Sequence, residues 1–214
     1  MAMATSNRAR LTTARGAIAA VGLIVALLAS ACGSAGSAGS AGSAATGGQA
    51  VSAGVLASLR AQAAPRDWRP VRLAAGGAAL AAPPGWHRVS GDPGSATFVL
   101  GANADHPRAY LNATPATQEE QLGSWVGFRL SHNRGEGDRN VRLLASRGEL
   151  RLGGSVAARC VQDAYTIGTT RYTEVACLAQ ARSGRTVIVA ASPTPAWQQE
   201  RATLMRAIDA VGAA

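Results

Sequence analysis

The chain of 214 residues carries a formal net charge of +9, from 21 basic and 12 acidic side chains. All of these basic residues are arginines and glycine is abundant, a composition typical of GC-rich genomes that gives no support to a nucleic acid partner. The length allows one domain with a substantial hydrophobic core.

The first 31 residues have the organisation of an export signal. A positive amino-terminal region with three arginines and no acid precedes the apolar run AIAAVGLIVALLA at 17–29. This run has the length of a signal-peptide core and is too short to span a bilayer as a stable helix. Small residues follow it, so we expect cleavage between Ala31 and Cys32.

The residues LLASAC, which end at Cys32, resemble the lipobox of bacterial lipoproteins. In that family a peptidase cuts directly before a cysteine whose thiol carries diacylglycerol. The resemblance implies lipidation and acylation at Cys32, although Ala29 stands where the family more often has leucine. The alternative is an ordinary signal peptide, with Cys32 as a spare thiol.

Lipidation at Cys32 predicts an exported, membrane-anchored chain. Gly33, not aspartate, follows the cysteine, which favours the outer membrane if the host has two membranes. With one membrane, the chain would stay on the outer face of the plasma membrane. Loss of the signal peptide and its three arginines lowers the formal charge from +9 to +6. The positive charge of the mature chain could form a surface that faces anionic lipids or acidic wall polymers, but scattered solvated arginines are the favoured interpretation.

Residues 32–64 are predicted to be a flexible linker, and residues 65–214 a single globular domain. The linker begins with four Gly-Ser-Ala units at 33–44, which cannot bury a core. The domain opens with two short strands, 71–74 and 78–81, around Gly76-Gly77, a pattern that predicts a β-hairpin. A Pro-Pro-Gly-Trp turn follows, and two further strands are predicted at 96–100 and 108–112.

Two amphipathic helices are predicted, one in the middle of the domain and one at its end. Thr117-Gln118-Glu119-Glu120 has the capping residue and early acids of a helix start, and the helix is expected to run to about His132. The second helix should be capped by Thr194, with Pro195 in its first turn. Its wet side is predicted to include Glu200, Asp209 and their polar neighbours.

Between the helices, residues 141–192 predict an antiparallel meander. Turns are expected at Arg147-Gly148, Gly168-Thr169 and Ser183-Gly184. The last strand, 185–191, is apolar on both sides after Arg185, which favours a position covered on both faces.

Cys160 and Cys177 are predicted to form a disulfide. The midpoint between them falls between Gly168 and Thr169, where the turn was placed independently. In a two-residue hairpin the cysteines face each other as a non-hydrogen-bonded pair, where side chains approach most closely. An exported compartment permits the bond; two reduced core cysteines are the alternative.

No catalytic or metal-binding constellation is recognisable, and no cofactor is predicted. His87, His106 and His132 lie on separate segments without metal-ligand spacing, and Asp105 beside His106 favours an exposed loop over a proton relay. Trp86 and Trp125 are candidates for a ligand groove between helices and sheet, although core positions are favoured. An envelope enzyme of the hydrolase class, with an unrecognised site, is the competing interpretation.

The order of elements, together with the APPGW turn at 82–86, resembles the PsbP-like α/β/α sandwich of small exported lipoproteins such as the LpqN group. The resemblance covers about 71–211. It implies an α+β fold with an antiparallel sheet flanked by helices, and a non-catalytic binding or accessory role in the cell envelope. Expected partners are the membrane, through lipid at Cys32, and an envelope protein, a wall polymer or a small apolar ligand.

Overall fold

The computed structural model describes residues 54–73, 77–103, 106–153 and 156–213. The predicted signal peptide, Cys32 and the linker as far as residue 53 lie outside this part of the chain, as do Gly76 of the predicted hairpin and Asp105. Within the described residues, no helix is both long and apolar enough to cross a bilayer.

The described chain forms ten strands, two α-helices and one short 3₁₀ helix. In chain order they are the 3₁₀ helix Gly54–Ser58, β1 Arg69–Arg72, β2 Ala78–Ala82, β3 His87–Val89, β4 Ala96–Leu100, β5 Ala109–Pro115, α1 Trp125–Gly135, β6 Arg139–Leu152, β7 Val156–Ile167, β8 Thr170–Ala181, β9 Gly184–Pro193, α2 Trp197–Asp209 and β10 Gly212–Ala213. The short strands β3 and β10 were not predicted, because three and two residues are too few to show a period.

The strands form two antiparallel sheets. The large sheet has seven strands in the order β3-β4-β5-β9-β8-β7-β6, and the small sheet has the order β1-β2-β10. The predicted pairing of the first two strands is confirmed, with Val71 opposite Leu80. Strand β9 lies between β5 and β8, which agrees with its apolar sequence on both faces.

The β7–β8 hairpin follows the predicted register from its turn outward. Ile167 pairs with Thr170, so Gly168 and Thr169 form a two-residue loop. Gly168 has a φ of 57°, the positive value that the first position of a type II′ turn requires. One glycine thereby fixes the register of two twelve-residue strands.

Strand β6 is continuous where a turn was predicted at Arg147-Gly148, and that prediction is wrong. The pairing of β6 with β7 shifts between Arg147 and Leu150, which places a β-bulge there. Glu149 absorbs the extra length with a φ of 56°. The arginine-glycine pair therefore marks an irregularity within one strand.

Two hydrophobic clusters lie on opposite faces of the large sheet. The α2 face includes Val175 and Cys177 of β8, which pack with Leu204 and Ile208 of α2. The α1 face includes Ala176 of β8, which packs with Trp125 and with residues of β7 and β9. Because successive strand residues point to opposite faces, neighbouring positions of β8 serve different cores. The result is the predicted α+β architecture, an antiparallel sheet between helical layers.

Helix α1 begins at Trp125, later than predicted, because the preceding segment is held in an extended turn. The backbone N–H of Thr117 donates to Oε2 of Glu120 at 2.6 Å. The guanidinium of Arg185 donates to the carbonyl oxygens of Thr117 and Glu120. These bonds satisfy backbone groups that a helix would otherwise use, and Gly123 disfavours helix just before the true start.

Helix α2 begins at Trp197, two positions beyond the predicted first residue, Pro195. The N–H of Thr194 donates to the carbonyl of Arg171 in β8, and its hydroxyl lies 3.1 Å from the hydroxyl of Thr173. Thr194 therefore extends the contact with the sheet and does not cap the helix.

Candidate functional site

The two tryptophans proposed for a ligand groove lie on opposite faces of the sheet. Trp125 is fully buried on the α1 face, and its Nε1–H donates to the carbonyl of Ala176 at 3.1 Å. Trp86 is 8% exposed and belongs to the cluster on the α2 face. The structure therefore brings neither tryptophan into a shared groove with the other, and both occupy core positions.

The predicted disulfide is present between Cys160 and Cys177. The two residues are directly opposite each other on β7 and β8, with their Cα atoms 4.1 Å apart. Both side chains are fully buried in the cluster on the α2 face. The bond cross-links β7 and β8 near the middle of each strand.

A buried ion pair lies beneath α1 that the sequence did not predict. Nε of Arg129 donates to Oε1 of Glu174 at 2.7 Å, and the guanidinium contacts the same oxygen through Nη2 at 2.6 Å. The hydroxyl of Tyr165 donates to Oε2 of Glu174 at 3.0 Å. The Glu174 side chain is fully buried, so its charge is compensated by α1 and by the neighbouring strand.

A second polar pair continues this cluster toward the end of α1. Nδ2 of Asn133 donates to Oδ2 of Asp163 at 2.7 Å, and both side chains are buried. Asp163 lies directly opposite Glu174 in the β7–β8 pairing, a placement of like charges that is unfavourable without compensation. Arg129 and Asn133 are one helical turn apart, so one face of α1 supplies a hydrogen-bond donor to each carboxylate. The cluster positions α1 on the sheet.

The histidines and paired glutamates do not assemble into a reactive group. His87 and His106 are exposed on separate segments, and His132 stacks on Phe128 with ring centroids 6.0 Å apart. Across the described ranges, no three histidine, cysteine or acidic side chains are arranged to hold a metal ion. Glu119 and Glu120 do not lie at a helix start as predicted, because α1 begins only at Trp125.

One cleft, the β6 cleft, lies beside the bulge of β6. It has a volume of about 460 Å³ and is lined by Leu122, Gly123, Glu149, Leu150, Arg151, Ala157, Ala158 and Arg159. Nη1 of Arg159 donates to the carbonyl of Gly123 at 3.1 Å, which ties the wall of the cleft to the loop before α1. Arginines on apolar walls suit a ligand that carries both an anionic group and an apolar part.

A second cleft, the α2 cleft, lies between α2 and the first described residues. It has a volume of about 620 Å³, and its lining includes Gly54, Arg60, Arg201, Arg206 and Asp209. Its outer wall is an amino-terminal strap, which we define as residues 54–63. Leu56 and Leu59 of the strap are buried, so the predicted linker ends earlier than residue 64.

Three side chains hold the amino-terminal strap on the domain. Nη1 of Arg147 donates to the carbonyls of Leu56, Ala57 and Leu59 at 2.7, 3.2 and 3.0 Å. Asp209, predicted on the wet side of α2, is instead 6% exposed and accepts from the strap. Arg206 donates to the side-chain oxygen of Gln62 and to the carbonyl oxygen of Ala63, the last two residues of the strap.

The bonds of Asp209 come from two strap residues. Its Oδ1 accepts the N–H of Arg60 at 2.8 Å, and its Oδ2 accepts Nε2 of Gln62 at 3.2 Å. Burial raises the pKa of the Asp209 carboxyl above its ordinary value, and this effect outweighs the opposing influence of the Arg60 N–H and of the nearby guanidiniums. Glu200, also predicted on the wet side, is buried and bonds Arg108 at 2.5 Å.

Solved structures with a similar fold include cyanobacterial PsbP (CyanoP) from Synechocystis sp. PCC 6803. That chain is 14% identical, with a TM-score of 0.51 over 69% of this chain and 93% of its own length. The fold is PsbP-like. The Ran-binding protein Mog1p of Saccharomyces cerevisiae also matches, with 11% identity, a TM-score of 0.44 and coverage of 65% of this chain and 86% of that one. LpqN of Mycobacterium tuberculosis, described as involved in cell envelope biogenesis, matches with 12% identity, a TM-score of 0.35 and coverage of 70% of this chain and 80% of that one. No protein-family model and no curated protein sequence matches the chain.

Proposed function

We propose that this chain is an exported lipoprotein of the bacterial cell envelope, whose folded domain binds a partner and does not catalyse a reaction. The observation that carries the proposal is the buried disulfide between Cys160 and Cys177. Disulfides of this kind persist in oxidising compartments outside the cytoplasm. The disulfide therefore supports export, for which the amino-terminal sequence is suited.

The same disulfide bears on the role of Cys32. The chain has three cysteines, so the bond leaves Cys32 as the one without an internal partner. A lone thiol in an oxidising compartment is a liability unless it is modified. Acylation at Cys32, as the LLASAC segment implies, removes the thiol and anchors the chain to a membrane at once.

The chemistry of the two clefts supports binding over catalysis. Their linings combine arginines with apolar residues and contain no histidine or cysteine. The one hydroxyl side chain among them, that of Ser58, donates its proton to the carbonyl of Val55 at 2.8 Å. The ligand classes that fit are an envelope protein, an acidic wall polymer or a small apolar ligand with an anionic group.

Mass spectrometry of the protein purified from its native membrane tests the anchor. We expect the amino-terminal peptide to begin at Cys32 and to carry diacylglycerol, and a Cys32→Ser variant to be removed from the membrane fraction by a high-salt wash that leaves the acylated protein in place. Peptides containing Cys160 and Cys177 should remain linked without reductant. An intact precursor, or a free thiol at Cys32, would overturn the lipoprotein proposal.

Cross-linking in intact cells followed by purification tests the binding role. The lipidated protein should carry a specific partner or a bound small molecule that is reduced in the Cys32→Ser variant, because that variant is no longer held beside the membrane. Turnover of a defined envelope substrate by the purified protein would instead support the hydrolase interpretation.

A further inference from the structure

The α2 cleft lies where the chain from the predicted lipid anchor reaches the folded domain. Gly54 and Val55, the first described residues, line the cleft together with the outer surface of α2. Residues 33–53 separate Cys32 from this point. A flexible chain of that length has a root-mean-square span of about 25 Å. If the predicted linker behaves in this way, an acylated Cys32 holds the α2 cleft at a typical distance of about 25 Å from the bilayer.

The point of attachment is fixed on the domain. Arg147 binds three carbonyl oxygens of the amino-terminal strap, and Asp209 binds its Arg60 and Gln62. The backbone N–H of Gln62 also donates to the carbonyl of Asp209 at 3.1 Å. Since the strap cannot peel away without breaking these bonds, the chain from the anchor always joins the domain beside the α2 cleft.

The charge of this side is positive. Arg60, Arg201 and Arg206 line the cleft, and its only carboxylate, Asp209, is 6% exposed. Arg60 and Arg201 are exposed, whereas Arg206 is held by Gln62 and Ala63. An incoming anion would therefore meet guanidinium groups before it met a carboxylate.

Acidic side chains are buried more often than arginines across the described residues, which makes the rest of their surface more positive as well. Five carboxylates are buried in the described residues, those of Asp138, Asp163, Glu174, Glu200 and Asp209, whereas Arg129 is the only buried arginine. Acidic side chains are thus withdrawn from the surface more often than basic ones. The solvent-facing side chains are more positive than the formal charge suggests.

We propose that the α2 cleft docks on the membrane that holds the anchor, with Arg60 and Arg201 binding the phosphate of anionic lipid headgroups. The inference rests on the proposed lipid anchor, since only an anchored chain keeps this cleft close to a bilayer. Guanidinium groups bind phosphate through paired charge-assisted hydrogen bonds. Attachment through acyl chains and through a basic surface is stronger than either alone, because the second contact is intramolecular once the first is made.

Vesicle binding by the mature chain with Cys32→Ser isolates the cleft from the acyl chains. We expect this protein to sediment with vesicles that contain phosphatidylglycerol, and not with pure phosphatidylcholine, and to be released as salt screens the contact. Each arginine near an anionic surface changes binding about fivefold, so Arg60→Gln/Arg201→Gln should weaken it by about 25-fold.

The matched control is Arg134→Gln/Arg182→Gln, which removes two exposed arginines away from the cleft. It should retain binding within about twofold of the parent, because it loses the same charge from other surfaces. Hydrogen exchange should show vesicle-induced protection in the amino-terminal strap and α2. Equal losses in both double variants, or equal binding to both kinds of vesicle, would overturn the docking proposal.

The anchor and the docking surface fail separately. If the native protein carries acylated Cys32 but the chain shows no preference for anionic vesicles, the docking proposal is contradicted and the lipoprotein proposal stands. If Cys32 is a free thiol but vesicle binding depends on the cleft, the lipoprotein proposal is contradicted, and with it the two-point attachment. The affinity of the cleft for anionic lipid would still stand.

Discussion

The two faces of the large sheet are built from the same strands but are stabilised by different chemistry. On the α2 face, β7 and β8 contribute aliphatic residues and the disulfide. On the α1 face, the same strands contribute Asp163 and Glu174 beside an apolar patch around Trp125. Burial alone therefore does not determine which residue types a face of the sheet carries. A helix that supplies Arg129 and Asn133 lets a sheet bury carboxylates that the opposite face could not accept.

The two faces also differ in how precisely each one fixes the position of its helix. Apolar contacts on the α2 face tolerate small shifts of α2, because the hydrophobic effect has no direction. The bonds of Arg129 and Asn133 are directional, so they fix both the position of α1 along the sheet and its rotation. We infer that the polar cluster sets the position of α1, while the apolar face contributes most of the stability.

The largest expected effect comes from breaking the buried ion pair. Glu174→Ala leaves the Arg129 guanidinium buried without its carboxylate and should lower the free energy of unfolding by about 3–5 kcal/mol. Urea denaturation followed by tryptophan fluorescence measures the change, since Trp125 lies on the same face.

A double variant is the matched control for this effect. Arg129→Met/Glu174→Met replaces both charges with side chains of similar length and should recover most of the lost stability, since neither member of the pair is left buried without the other. If Glu174→Ala costs less than about 1 kcal/mol, the pair does not determine the stability of the α1 face in the way that we infer.

Removal of the disulfide tests the opposite face and should have the next largest effect. Cys160→Ala/Cys177→Ala removes the cross-link between two residues 17 positions apart. It should lower the free energy of unfolding by about 3 kcal/mol, chiefly because the unfolded chain gains conformational entropy. Calorimetric unfolding of the two forms measures the difference. A native protein that loses stability rapidly on addition of reductant would contradict the full burial of both sulfurs.

Sequence reasoning predicted the α2 face better than the α1 face for a physical reason. One turn at Gly168-Thr169 fixes the β7–β8 register, so the pairing of Cys160 with Cys177 follows from counting along two strands. The contact between Arg129 and Glu174 joins residues 45 positions apart in different elements. This contact depends on where α1 begins, and the predicted start of that helix is wrong. Arg129 within an otherwise apolar helical stripe was the one available signal.

The same reasoning explains the errors at the domain boundary. Glu200 and Asp209 fall on the polar side of the periodicity of α2, but they are covered by other segments. Arg108 covers Glu200, and the amino-terminal strap covers Asp209. Helical periodicity describes one element and carries no information about a segment about 150 residues away. The apolar run at 55–59 within the strap predicts at most a helical turn or two, and five residues are too few to show what they pack against.

A smaller, local effect is expected when the strap is released. Arg147→Gln removes a charged donor from three carbonyl oxygens and should lower stability by about 1.5–3 kcal/mol at most, since hydrogen bonds from charged groups contribute about that much. Hydrogen exchange measures where the loss occurs. The N–H of Gln62 should lose protection while the amides of β7 and β8 keep theirs. Uniform loss of protection would mean that the strap is an integral part of the core.

The smallest expected effect is a pH dependence centred on Asp209. Because burial raises the pKa of this carboxyl in the folded state, its contribution to stability is fully present below the ordinary value of 3.8 and is lost as the pH rises through the folded-state pKa. Asp209→Asn removes that titration but keeps an oxygen for the N–H of Arg60. The stability of the variant relative to the parent should therefore rise with pH across this window. Denaturation from pH 3, about one unit below the ordinary carboxyl values, to pH 7, about three units above them, measures the change.

Asp92→Asn is the matched control: burial and the charge of Glu136 raise the pKa of Asp92 as well, but Asp92 lies in the loop between β3 and β4. Only the variant at Asp209 should also change the exchange rate of the Gln62 amide. If the stability of the Asp209 variant relative to the parent instead falls with rising pH, then its bonds with Arg60 and Gln62 outweigh the cost of burying the charge, and the strap is fastened by the ionised carboxylate.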